Sequence, residues 1–247
     1  MPLFGTLDID QAMQTAPTMA DLTPETMELP SATVLQVSYE VAHEPALTIT
    51  PPALHPSIPP YVTFNLYHHP SSPLGPFDLV TVRLIVRAGI RPRGLLLQAF
   101  CSDEGATEHL ATRWGYRVRT ADITQQQRHD RISATVSIDG SPALGFALTE
   151  SEPVSGGDLE LFDNLHLTQL PDQGPVIVQV DPSYQYAQAQ RGVPQLDVFD
   201  AEVLGVQGVE PVYPIVAVSC VADMTLSAPR FVLDPTQPAV KGTKRVG

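Results

Sequence analysis

The segment from residue 61 to 69, YVTFNLYHH, has the clearest alternation of apolar and polar side chains in the chain. Two sets of side chains would lie on opposite faces of an extended strand there: Val62, Phe64 and Leu66 on one, and Thr63, Asn65 and Tyr67 on the other. Because the first set is wholly apolar, we expect that face to be buried. The segment therefore predicts a β-strand against a hydrophobic core.

Many similar runs lie on both sides of this segment, each bounded by proline or glycine. They are TVLQVSYEV, LVTVRLIVRAG, GLLLQAFCS, ISATVSIDG, ALGFALTE, LELFDNLHL, VIVQVD, LDVFDAEVLGV and PIVAVSCVADMTL. Short β runs with frequent turn signals are typical of a barrel or sandwich. The 25 prolines also fit poorly with a helix-rich or parallel α/β design.

One helix is predicted over residues 102–115, SDEGATEHLATRWG. Ser102 or Asp103 can cap its start, and Gly115 can end it. The apolar side chains at helical spacing share one face: Ala106, Leu110 and Trp114. Residues 1–32 show no sustained periodicity, so we expect a loosely attached arm there, and we expect residues 236–247 to form a C-terminal tail.

The composition limits the possible partners. The formal charge is −13, from 27 acidic and 14 basic residues, which disfavours nucleic acid and anionic membranes as partners. Neither a membrane span nor a secretory signal is evident, and Cys101 and Cys220 lie in apolar runs, so we expect free thiols and a cytoplasmic protein.

The common nucleotide-binding and hydrolase signatures are absent from the sequence. His68 and His69 are adjacent and would face opposite sides of a strand, so they cannot bind one ion together. We therefore expect no metal and no cofactor.

Four segments, in order, resemble the acetoacetate decarboxylase family. They are TPPALHP (50–56), SSPLGPFDLVTVRLIV (71–86), LLLQAFCSDEGATEHLATRWGYRVR (95–119) and EPVYPIVAVSCVADMTLSAP (210–229). The resemblance covers about residues 33–235. It implies a β-rich α+β fold: a closed cone-like β-barrel with a few flanking helices, a buried pocket and a symmetric homo-oligomer. Arg-rich strand runs between residues 83 and 93 also suit a subunit interface.

The chemistry of that family depends on a lysine that forms a Schiff base with a β-keto acid, next to a second lysine that lowers its pKa. An ungapped match from Glu104 onward places Val118 at the first lysine and Arg119 at the second. The only lysines of the chain are Lys241 and Lys244. A guanidinium stays protonated and cannot attack a carbonyl, so the resemblance excludes imine chemistry at this position.

Other family positions also differ. The strand glutamate falls on Leu79, a further acid falls near Asn65, and an arginine falls near Glu40. Together with Val118 these residues predict a less charged pocket, also lined by Tyr61, that prefers a larger and more apolar ligand than acetoacetate.

Eight residues are candidates for the site. Glu104, Tyr116 and His109 could act as acids or bases, and Arg119, Val118, Leu79, Asn65 and Tyr61 could contact a substrate. Each has a structural alternative. Glu104 suits the first turn of a helix, and Arg119 would point away from Val118 in an extended segment and could form a salt bridge.

Two functions remain open from the sequence. The chain could be an enzyme that acts on a small or medium organic acid or ketone by acid–base and electrostatic catalysis, as a lyase, hydratase, isomerase or cyclase. Alternatively it could be a non-catalytic ligand-binding or scaffold protein. Convergent titratable groups in the pocket favour the enzyme, and an aliphatic or filled interior favours the scaffold.

Overall fold

The computed structural model describes residues 3–246, which form a mainly β structure with a few short helices. The strands are β1 (Met27–Val41), β2 (His55–Pro56), β3 (Tyr61–His69), β4 (Phe77–Arg87), β5 (Pro92–Cys101), β6 (Val118–Thr120), β7 (Asp122–Arg128), β8 (Arg131–Ile138), β9 (Ser141–Pro153), β10 (Asn164–Leu170), β11 (Gly174–Val180), β12 (Ser183–Phe199), β13 (Pro211–Leu226), β14 (Phe231–Leu233) and β15 (Thr243–Arg245). The helices are α1 (Ile9–Met13), α2 (His43–Thr48), α3 (Glu104–Trp114), α4 (Ala201–Leu204) and α5 (Ala239–Gly242).

All the strands belong to one sheet. Its order is β15-β14-β11-β10-β5-β4-β3-β1-β13-β12-β9-β8-β7, and β2 and β6 pair with β4 and β5 to the side. The path has two ends, since β15 and β7 do not pair within residues 3–246. The strand-rich fold with few helices is as predicted, but the pairing does not close the sheet into a barrel.

The central strand β3 is the segment with the clearest sequence alternation. Its apolar residues face a first core, which also contains Val80, Val82, Phe100 and Phe146. The other face of β3 is buried as well, because a second core that contains Tyr67, Trp114 and Val178 covers it with α3, β10, β11 and the start of β12. The prediction of a buried apolar face is confirmed, and the polar face is buried too.

Helix α3 forms where the sequence predicted it. The Asp103 side chain caps it by accepting a 2.8 Å hydrogen bond from the Ala106 amide, and Gly115 ends it in the left-handed conformation with φ 66°. Its three buried residues pack into the second core: Ala106, Leu110 and Trp114. The helix thereby covers the face of the sheet that carries the candidate site.

The N-terminal segment is tied to the sheet, unlike the loose arm that the sequence predicted. Backbone amides of Gly5 and Leu7 donate to Leu54 and Thr50, and the Met19 amide donates to Gln169. Met19 is fully buried because it fills space in the second core. At the other end β15 pairs with β14, so the expected tail also contributes a strand. No helix among the described residues is long and apolar enough to cross a membrane.

Candidate functional site

A row of side chains crosses five neighbouring strands on the face of the sheet that packs against the second core. We call this face the second-core face. Strand pairing aligns Gln36 of β1, Asn65 of β3, Thr81 of β4, Ala99 of β5 and Val118 of β6. Cross-strand partners on one face lie about 5 Å apart, so the row forms a continuous strip. The strip joins residues far apart in sequence to the segment after α3.

Arg83 lies on the same face of β4, two residues from Thr81. Its side chain is almost completely buried, and its Nη2 donates a 2.9 Å hydrogen bond to the Tyr67 hydroxyl. The stem of Arg83 lies across Gly94, where an added Cβ would stand 2.9 Å from the Arg83 Cδ. No acidic side chain among residues 3–246 forms an ion pair with Arg83. The face therefore holds a buried cation without a carboxylate.

His166 of β10 adds a nitrogen lone pair to this face. Its Nδ1 lies 2.7 Å from the Trp114 carbonyl oxygen, which can only accept, so Nδ1 carries the proton and Nε2 does not. Burial lowers the pKa of His166 to about 3, against the opposing effect of the Trp114 hydrogen bond, and the charge of Arg83 lowers it further. His166 is therefore neutral and presents Nε2 as an acceptor.

Two tyrosines complete the cluster. The Tyr116 ring packs edge-on against His166 with their ring centroids 4.2 Å apart, and burial raises the pKa of Tyr116 to about 12, although the charge of Arg83 lowers it. Burial also raises the pKa of Tyr184 well above its usual value. Both phenols are thus protonated near neutral pH and can donate hydrogen bonds. We call Arg83, Tyr67, Tyr116, His166 and Tyr184 the inner cluster.

Several buried polar atoms in the inner cluster and the strip lack a hydrogen-bond partner in the described chain. They are Arg83 Nε, His166 Nε2, the Tyr184 hydroxyl, Gln36 Oε1, Asn65 Oδ1 and Thr81 Oγ1. Native proteins satisfy nearly all buried polar groups, and exceptions concentrate at functional sites and at sites filled by water or a ligand. This concentration of unpaired atoms marks the face as a candidate binding site. No group of three metal-ligating side chains that could hold an ion occurs within residues 3–246.

The model of one protein family matches most of the chain. That family is acetoacetate decarboxylase, and the match covers residues 12–235. The chain belongs to the acetoacetate decarboxylase family. No curated protein sequence matches the chain.

Solved structures with the same fold include the acetoacetate decarboxylase of Legionella pneumophila, with a TM-score of 0.75 and 14% identity over 83% of this chain and 86% of that one. The enduracididine biosynthesis enzyme MppR in complex with pyruvate has a TM-score of 0.69 and 17% identity, over 84% of this chain and 90% of its own. An acetoacetate decarboxylase-like enzyme from Sphingomonas wittichii RW1 has a TM-score of 0.67 and 14% identity, over 85% and 93%.

The structure brings four of the candidate site residues to the second-core face. Asn65 and Val118 lie in the strip, Leu79 pairs with Tyr67 in the neighbouring row, and Tyr116 belongs to the inner cluster. Arg83 adds a buried cation to this face that the sequence pattern did not predict there, and the less charged pocket stays a prediction.

The other four candidates lie outside both the strip and the inner cluster. Glu104 is exposed at the start of α3, and His109 packs beside Trp114 with their ring centroids 5.5 Å apart. Arg119 is exposed, lies over the Phe100 ring on the first-core side and donates to the Val203 carbonyl. The fourth, Tyr61, lies at the start of β3, where it contacts Phe162 edge-on.

Sequence reasoning missed Arg83 and His166 as site residues. A signal for both was present: each interrupts an apolar run, VTVRLIV and LHL, at a position whose sequence neighbours face the first core. A charged or titratable residue in such a place must face the opposite side of the sheet. The pattern does not predict that Arg83 of β4 and His166 of β10 lie in one cluster, because that depends on how the strands pair.

Proposed function

We propose that the chain is an enzyme that acts on a small or medium organic acid or keto acid by acid–base and electrostatic catalysis, without an imine. The observation that supports this function is the buried, carboxylate-free Arg83. A buried guanidinium without a counter-charge destabilises the fold, and a substrate carboxylate would supply the missing charge in bidentate geometry. MppR, which shares the fold, binds pyruvate in its structure.

This face has no lysine amine that could form an imine with a carbonyl substrate. Both lysines of the chain, Lys241 and Lys244, are exposed near the C-terminal end, in α5 and β15. The position matched to the family lysine is Val118, and arginine cannot supply a free amine. The electron sink of the family mechanism must therefore be replaced by hydrogen bonding and charge.

The inner cluster offers that replacement. His166 Nε2 can accept a proton from the carbon next to the substrate carbonyl, and the Tyr116 hydroxyl can donate a hydrogen bond to the enolate oxygen that results. A bound carboxylate would also offset the charge of Arg83 and so raise the pKa of His166, although burial, the main cause of its low value, would remain. Proton transfer beside a carbonyl is a first step shared by lyases, hydratases, isomerases and cyclases.

Deuterium exchange tests this assignment directly. The protein is mixed with 2-oxobutanoate in D₂O near neutral pH, and ¹H NMR follows loss of the signal of the carbon next to the carbonyl. We expect exchange above the buffer rate, loss of exchange in His166→Asn with binding retained, and loss of binding in Arg83→Gln. Arg87→Gln, at the exposed end of the same strand, is the matched control and should behave as the wild type.

Trapping with borohydride distinguishes this mechanism from imine chemistry. Reduction in the presence of 2-oxobutanoate should add no substrate-derived mass to any residue between 3 and 240. An internal adduct, or exchange that is unchanged in both His166→Asn and Arg83→Gln, would overturn the proposal.

A non-catalytic ligand-binding protein is the second candidate, and one observation favours it. A histidine with a pKa of about 3 is a weak base. Under this function 2-oxobutanoate binds through Arg83 but exchanges no deuterium.

A further inference from the structure

A cleft of about 500 Å³ lies between the N-terminal segment and a gap in the sheet. Strand β10 pairs with β5 at Gly94 and Leu95, and β6 pairs with β5 from Ala99 onward. Residues 96–98 of β5 therefore have no strand beside them on that edge within the described chain. Residues 7–16, which include α1, lie across the gap and form the opposite wall of the cleft.

The wall on the sheet side is apolar and carries one cation. It includes Leu95, Leu96, Leu97, Leu167 and Arg117. Arg117 Nη2 donates a 2.5 Å hydrogen bond to the Thr15 hydroxyl, and no acidic side chain among residues 3–246 pairs with it. Burial lowers the pKa of Arg117, but a guanidinium remains charged at any accessible pH.

An acid also lines the cleft but is engaged elsewhere. One oxygen of Asp8 caps α1 by accepting a hydrogen bond from the Gln11 amide at 3.1 Å. Asp8 forms no ion pair with Arg117, so it leaves the guanidinium available to a ligand. The Thr15 hydroxyl is neutral, and a carboxylate would be the stronger partner for Arg117.

We propose that this cleft binds an amphipathic carboxylate, with its head group on Arg117 and its hydrocarbon chain on the leucines of the gap. The volume lies within the usual range for small-molecule sites, and aliphatic walls with one fixed charge suit a single-headed apolar acid.

The cleft is distinct from the inner cluster. Tyr116 and His166 face the second core, whereas the next residues in the chain, Arg117 and Leu167, line the cleft. The two sites thus lie on different sides of the same segments, and the cleft does not depend on the proposed function.

Calorimetric titration with octanoate tests whether the Arg117 guanidinium binds the carboxylate head group. We expect octanoate to bind the full chain more tightly than octan-1-ol does, and Arg117→Gln to weaken octanoate binding about tenfold, the loss typical of a charge-assisted hydrogen bond, with octan-1-ol unchanged. Arg119→Gln, two residues along and bonded to a backbone carbonyl, is the matched control and should bind octanoate as the wild type does.

Two further variants locate the ligand. Ala12→Trp, which places an indole in the cleft, should abolish binding of both octanoate and octan-1-ol, whereas Arg83→Gln should leave both unchanged even where it abolishes binding of 2-oxobutanoate. Absence of octanoate binding at millimolar concentration, equal affinity in Arg117→Gln, or loss of octanoate in Arg83→Gln alone would each overturn the proposal.

Discussion

Two buried histidines make the stability of the fold depend on pH. Burial lowers the pKa of His166 to about 3 and that of His69 to about 4, and neighbouring charges on Arg83 and His68 lower them further. Histidine in an unfolded chain titrates near 6.5. Between these values the unfolded chain binds protons that the native chain does not. The stability that the native chain gains from holding these two histidines neutral is therefore fully present above about pH 6.5. It is lost as the pH falls toward the pKa values of the native chain.

We expect the free energy of unfolding to fall by up to ~1.4 kcal/mol per pH unit for each histidine in this window. Urea unfolding at pH 7, 6 and 5 measures the slope. His166→Asn should have a shallower slope than the wild type, whereas His43→Asn, on the exposed start of α2, should keep the wild-type slope. Equal slopes in all three proteins would show that His166 is not held neutral by burial.

At the scale of single residues, strand alternation predicts which side chains share one face of the sheet. Asn65, Leu79 and Val118 share a face because strand alternation and the order of the motifs fix their orientation. The sequence pattern predicts Arg83 at a subunit interface, whereas in the fold it is buried against Tyr67 and Gly94, which only strand pairing brings near. Local sequence patterns predict the face to which a side chain points, but not the residue that it contacts on another strand.

At the scale of elements, periodicity and capping located β3 and α3 because both depend on nearby residues. The gap along β5 depends instead on a β-bulge, where the register shifts between Val82 and Arg83, and on the different lengths over which β6 and β10 pair. A bulge inserts one residue without changing the apolar character of the run. The sequence therefore predicts an ordinary strand over the leucines at 95–97 and does not indicate the gap beside them.

Gly115 connects the end of α3 to Tyr116 of the inner cluster and packs closely against Thr168. It has φ 66°, and an added Cβ would lie 3.0 Å from the Thr168 side chain. We expect Gly115→Ala to destabilise the fold by about 2 kcal/mol, from left-handed strain and from this contact. Gly140→Ala is the matched control, because Gly140 has φ 77° and no neighbour within 4 Å. Chemical denaturation should give a smaller loss for Gly140→Ala. An equal loss would mean that Thr168 moves aside freely.

At the scale of the whole molecule, we propose that the chain forms a homo-oligomer. The arginines between residues 83 and 93 support an interface less than their sequence pattern suggests, because Arg83 is buried and Arg93 pairs with Asp163 and Asp181 of its own chain. Other residues support it. Pairing of β12 with β13 ends at Gly192 and Ala217, and exposed apolar side chains follow on both strands: Val193, Val198, Val212, Tyr213 and Ile215.

Light scattering after gel filtration should give a mass well above the 26.7 kDa of one chain. Ile215→Asp should shift the protein toward the monomer, since a buried carboxylate in an interface is costly. Ile90→Asp, at an exposed isoleucine on the loop before β5, should leave the mass unchanged. A wild-type mass of one chain at micromolar concentration contradicts the proposal.

The confinement of lysine to α5 and β15 also decides how the protein can be attached to a surface. Reagents selective for side-chain amines can modify Lys241 and Lys244 and no other side chain. Lys244 lies in the edge strand at one end of the sheet path and Lys241 just before it, and neither residue belongs to the inner cluster or lines the cleft. Dyes or biosensor matrices coupled to these side chains therefore hold the molecule by one edge, with the candidate sites unmodified.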